Sequence, residues 1–78
     1  MSNTAFSKQI NGSHYKIMKI QPTEFSHKNE LNWCESNVIK YICRHKNKNG
    51  IEDLRKAIHY IEFLAEMDYP EEVLHENK

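Results

Sequence analysis

The sequence predicts an all-α, or mostly α, fold: an antiparallel helical hairpin with a short N-terminal helix and an extended arm, assembling as a homo-oligomer. Two observations carry the hairpin: apolar residues recur at three-and-four spacing over residues 51–65, and helix-start signals stand at Pro22, Asn32 and Asn49. The third is size. At 78 residues the chain is one domain, near the length at which a single core is barely sufficient and self-association often completes it.

Residues 1–11 are small and polar without periodicity, which predicts a flexible terminus. A single domain is expected over 12–68. Its first segment, His14 to Ile20, alternates only loosely and reads as a short strand or an extended arm. Pro22 fits the first turn of a short helix over 22–29, because its missing amide hydrogen has no intrahelical acceptor there. Asn32 followed by Glu35 is a capping box, so the next helix starts there and runs to about Lys46.

Asn49, with Glu52 and Asp53 in the following turn, repeats that logic, and the second long helix should begin near Gly50. Its stripe of Ile51, Leu54, Ile58, Ile61 and Ala65 is expected to be buried, facing Trp33, Val38, Ile39, Ile42 and Cys43 on the first. The short connection between them favours an antiparallel pair. Pro70 stops the helix and leaves a polar, acidic tail over 69–78.

The formal net charge is zero, which argues against a protein that coats long nucleic acid; any anionic ligand should be small. The charge is segregated, however. Lys40, Arg44, His45, Lys46 and Lys48 gather near the hinge, while Glu62, Glu66, Asp68, Glu71, Glu72 and Glu76 lie beyond it. Cys34 and Cys43 stand nine positions apart in one predicted helix, roughly 13 Å along its axis, too far to bridge each other. No signal peptide and no apolar run of membrane-spanning length is present, so a reducing cytoplasm is the expected compartment and no membrane partner is expected.

No G-x-x-x-x-G-K-[ST] run exists, and neither Cys-x-x-Cys nor His-Glu-x-x-His occurs, which argues against a P-loop and a zinc centre. Asn37, Lys40, Tyr41 and Arg44 fall at i, i+3, i+4 and i+7, on one helix face away from most of the apolar stripe. That set suits a phosphorylated aromatic ligand. Arg44 would grip phosphate oxygens with its planar fork, Lys40 or Lys46 would add point charge, and Asn37 would read a base or sugar edge. Equally, these residues form a solvated helix face.

Glu35 lies close in angle to Ile39 and Ile42, so its carboxylate should approach the core and need a partner. Arg44, Lys56 or a Mg2+ ion shared with Asp53 would provide one, and the capping box explains Glu35 equally well. His14 and Tyr15 on the arm would stack on a base or contact phosphate, or simply pack. His45, between Arg44 and Lys46, is a candidate for proton transfer.

Three blocks, GSHYK, QPTEF and ESNVIKYICRHKNKNGIEDLRKAIHYIEFL, cover roughly residues 12–64 and resemble the SaV-like family of small phage proteins, which includes the P-loop-less phage nucleotide kinase. The last block is long and specific. The resemblance implies an oligomeric, nucleotide-handling phage protein in the cytoplasm of the bacterial host, with phosphoryl transfer from ATP to a deoxynucleoside monophosphate as the attached activity. By family pattern, His14, Tyr15, Glu35, Asn37, Lys40, Arg44, His45, Lys46, Asp53 and Lys56 are the positions carried over. As a kinase, Lys40, Arg44 and Lys46 would neutralise the transferring phosphate, while Glu35 and Asp53 would hold Mg2+. The family's best-known member is longer than this chain, so binding transfers more safely than catalysis.

Three other readings compete. The first is a non-catalytic oligomeric sponge that sequesters a nucleotide immune signal, such as a cyclic oligonucleotide, to evade antiphage defence. The second is a nucleotide pyrophosphatase using Glu30, Glu35, Glu52 and Asp53, although the usual E-x-x-E and E-x-x-D series does not occur in the helical segment. The third is a helical module that docks on a host protein.

Overall fold

A computed structural model describes residues 18–75 of the chain. The expected flexible terminus, most of the arm, and with them His14 and Tyr15, lie outside the described residues. Within the described residues the chain is mostly helical and forms no strand. Three α-helices follow in order: α1, Pro22–Lys28; α2, Trp33–Arg44; and α3, Ile51–Asp68. A 3-10 turn, His45–Asn47, joins α2 to α3.

Helix α1 starts with Pro22 in its first turn, as its fixed φ allows. It ends in a Schellman arrangement: the Leu31 amide donates to the Ser26 carbonyl at 2.9 Å and the Glu30 amide to the His27 carbonyl at 3.1 Å. The residue in the left-handed position is Glu30, with φ 56°, where glycine is the usual occupant.

The capping box of α2 forms in full. Asn32 Oδ1 accepts from the Glu35 amide at 2.8 Å, and Glu35 Oε1 accepts from the Asn32 amide at 2.9 Å. The α-helix stops at Arg44, two residues before the expected end, because the chain tightens into the 3-10 turn, and the Gly50 amide donates back to the His45 carbonyl at 2.9 Å.

At the start of α3 the cap is displaced by one residue from its expected place. Gly50, not Asn49, is the N-cap, with φ 57° and ψ −127°, a conformation that strongly favours glycine. Glu52 therefore turns outward and pairs with Arg55 Nη1 at 3.1 Å, while Asp53, now at the third helical position, accepts from the Asn49 amide at 3.1 Å.

The largest departure from the sequence reading is the choice of buried face. The core of the described residues consists of Cys34, Tyr41 and Ala57 with the polar residues Ser26, Asn37 and Asp53. The expected stripe does not form it: Trp33 is 68 % exposed, Ile51 60 %, Ile58 51 %, Ile42 49 % and Ile61 37 %. Conversely, Asn37 and Tyr41, expected on a face away from most of the apolar stripe, are buried. Small side chains at Cys34 and Ala57, with Ser26 on α1, let the backbones approach where branched aliphatics would hold them apart.

Beyond α3, residues 69–75 are exposed, and His75 Nε2 lies 3.2 Å from Glu62 Oε2. No described helix is long and apolar enough to cross a membrane.

Candidate functional site

Where α2 ends and α3 begins, the two helices are clamped by charge. Asp53 is fully buried; its Oδ1 accepts from Arg44 Nε at 3.2 Å and its Oδ2 from the Asn49 amide. Burial alone would push the Asp53 carboxyl up, but the Asn49 amide, the Arg44 hydrogen bond and the Arg44 charge together outweigh it and hold the group below the usual aspartate range. Asp53 is thus an ionised carboxylate that fixes the hinge.

Next to this clamp three cations gather around one aromatic ring. Arg44 Cζ stands 4.7 Å from the centroid of the Tyr41 ring, Lys40 Nζ 4.6 Å and Lys56 Nζ 5.5 Å. Each contact is within cation–π range, worth on the order of 0.5–2 kcal/mol according to desolvation. The ring itself stacks on Tyr60, with centroids 5.9 Å apart and an interplanar angle of 14°, and Tyr60 meets Trp33 edge-on at 5.2 Å. Three positive groups therefore share one aromatic platform, and only Arg44 has a carboxylate partner on it.

Lys40 also borders an open groove of about 350 Å³ between α1 and α2, lined by Pro22, Ser26, Leu31, Ser36 and Asn37 among others. Asn37 is oriented by its own Nδ2, which donates to the Trp33 carbonyl at 2.9 Å. The amide oxygen of the same group is an acceptor at the groove wall. A cationic platform beside a partly apolar groove is chemically suited to an anion carrying a flat ring.

The structure brings Asn37, Lys40, Tyr41, Arg44, Lys56 and Asp53 of the expected site residues together. His45 and Lys46 lie in the 3-10 turn just beyond them, Lys46 exposed to solvent. Glu35 stands apart, at the other end of α2, nine residues or roughly 13 Å along the axis from Arg44. Its carboxylate is engaged in the capping box, and both Asp53 oxygens are engaged in the clamp. The two carboxylates accordingly do not fit a Mg2+ shared within one chain, and among the described residues no group of three or more His, Cys, Asp or Glu could hold a metal ion.

Sequence reasoning missed Trp33 and Tyr60 as parts of this face; the Trp33, Asn37, Tyr41 and Arg44 spacing of four, four and three was the available signal. Both cysteines are free: Cys34 is buried, and burial pushes the Cys43 thiol up, which disfavours its thiolate.

No curated protein and no solved structure matches this chain. A family of proteins of unknown function does match, over residues 10–62, a span that takes in α1, α2, the hinge and most of α3. With more than half of its length covered, the chain belongs to that family, described as protein of unknown function DUF3310.

Proposed function

We propose that this protein binds a small phosphorylated aromatic ligand, a nucleotide, on the cationic face of the α2–α3 hairpin. The observation that carries the reading is the convergence of Lys40, Arg44 and Lys56 on the Tyr41 ring, with Lys40 also lining the groove. Lys40 and Lys56 would hold phosphate oxygens, since Arg44 already spends its Nε on Asp53. The groove would receive the base, with Asn37 as a polar reader at its wall. An anion there would offset the crowding of like charges that only Asp53 now relieves.

Phosphoryl transfer to a deoxynucleoside monophosphate is the activity that the resemblance to the SaV-like phage family brings to this site. One observation favours the alternative, retention of an unchanged nucleotide such as a cyclic immune signal: the Asp53 carboxylate expected to serve Mg2+ is committed to the hinge. The test is to incubate the purified protein with mixed deoxynucleoside monophosphates, ATP and Mg2+, and separately with cyclic dinucleotides, following turnover and bound ligand by chromatography. Diphosphate formation supports the kinase, and stoichiometric retention supports the sequestering binder. Absence of any bound nucleotide would overturn both.

A further inference from the structure

We propose that the hairpin face opposite the cations is the docking surface for a second copy of this chain, packed with its α3 antiparallel about a two-fold axis at Ile58. The surface is separate from the cationic platform, so its test is independent of the nucleotide reading.

Lys40 and Arg44 leave one flank of α2, and Lys56 one flank of α3, to reach the same ring. At about 100° per residue, Val38 and Ile42 then lie on the other flank of α2, and Ile51, Leu54, Ile58, Ile61 and Ala65 on the other flank of α3, within about 80° of one another. The exposed isoleucines of both helices so form one apolar face, and the buried core of the single chain contains none of them. Contiguous aliphatic surface of this kind marks an interaction site in a soluble fold.

The order of residues along α3 identifies the occupant. Counted from Ile58, Ile51 lies seven residues before and Ala65 seven after; Leu54 lies four before and Ile61 three after; Arg55 lies three before and Glu62 four after. An antiparallel copy centred on Ile58 therefore sets Ile58 against itself and Ile51 against the partner's Ala65, and brings Leu54 to the partner's Ile61 and Arg55 to the partner's Glu62 within one residue, about 1.5 Å, of the same level. A two-fold interface must be self-complementary in this sense. The intramolecular pairs given up, Arg55 with Glu52 and Glu62 with His75, are exposed and cost little to exchange.

The experiment uses the full chain and sedimentation equilibrium at roughly micromolar to hundred-micromolar concentrations. The wild type should approach twice its monomer mass, and Ile58→Glu should return it to the monomer mass. Because that variant could also lose its fold, two others accompany it. Arg55→Glu should weaken the dimer roughly tenfold or more, and Arg55→Glu with Glu62→Arg should restore it. Ile58→Cys should form an intermolecular disulfide on mild oxidation that the wild type, with its native thiols, does not form. A wild type that is monomeric throughout, which would follow if residues 1–17 of the same chain covered the face, overturns the proposal. So does association unaffected by these substitutions, or a charge swap that fails to rescue.

Discussion

The two faces of the α2–α3 hairpin differ in what a single chain does for them. The cationic face is internally organised: the Tyr41 ring is buried, stacked on Tyr60 and ringed by Lys40, Arg44 and Lys56, with Asp53 neutralising one cation from beneath. The apolar face has no comparable organisation, because Ile42, Ile51 and Ile58 each leave about half or more of their surface in water. Polar and aromatic groups are thus fixed by the fold of one chain, while much of the aliphatic surface stays in water. The proposed nucleotide site falls on the first face and the proposed copy-to-copy interface on the second.

The clamp at the seam of the two faces should show the largest effect. Asp53→Asn keeps the shape and removes the charge, leaving the Arg44 guanidinium, 12 % exposed, without its counter-ion. A loss on the order of 3 kcal/mol in urea unfolding is expected, at the low end for a buried pair because Arg44 keeps some solvent. The same variant predicts a pH effect with a definite sign. The folded carboxyl titrates below the unfolded value of about 3.9, so its stabilisation is complete above roughly pH 5 and is lost as pH falls through the depressed folded value. Wild type and Asp53→Asn should therefore draw together below the unfolded value and converge in stability only once pH has fallen past the depressed folded value. A gap that persists in acid would mean that Asp53 acts by shape rather than charge.

At the seam itself the second expected effect is Gly50→Ala. Nothing lies within 4 Å of a methyl group added there, so the cost comes from the backbone alone, φ 57° with ψ −127°. Strain of this kind is worth on the order of 1–3 kcal/mol. Chemical denaturation that finds the variant unchanged would show that the hinge relaxes into an ordinary conformation.

Helix positions were legible in the sequence because caps are local. Pro22, the Asn32–Glu35 box and the acids after Gly50 each act within four residues, so their consequences need no knowledge of the fold. The buried face was not legible for a physical reason. Periodicity reports which apolar side chains share a helix face, whereas burial in one chain is decided by how closely backbones approach, and here the buried Cys34, Ala57 and Ser26 mark that approach. The Arg44–Asp53 pair was foreseen only as separate members of a phosphate and a metal site, since nine residues of sequence do not reveal that the hinge folds one onto the other. Arg44 is consequently a poor probe of ligand binding, because its removal would disturb the hinge as well.

Lys40→Ala and Lys56→Ala are the cleaner probes, and they sharpen the difference between the faces. Neither lysine has a carboxylate partner within salt-bridge distance, so little stability should be lost. Each should weaken nucleotide binding roughly tenfold, about 1.4 kcal/mol, as read by calorimetry, with the dimer mass unchanged. Weakened binding accompanied by dissociation would mean that the cationic platform depends on the apolar contact. Equal binding in wild type and both variants would move the ligand off this face.

The smallest effect is expected at Glu30, which belongs to neither face. Its left-handed φ of 56° carries a side chain where the Schellman turn favours glycine, yet both backbone bonds of the turn are made. Glu30→Gly relieves about 1 kcal/mol of steric cost but adds freedom to the unfolded chain, so a net gain of roughly 0.5 kcal/mol remains. The substitution leaves Lys40, Lys56 and the exposed isoleucines in place. Thermal unfolding should therefore shift upward with ligand affinity and association both unchanged. A change in nucleotide affinity would instead show that the end of α1, through neighbouring Leu31 at the groove wall, tunes the groove.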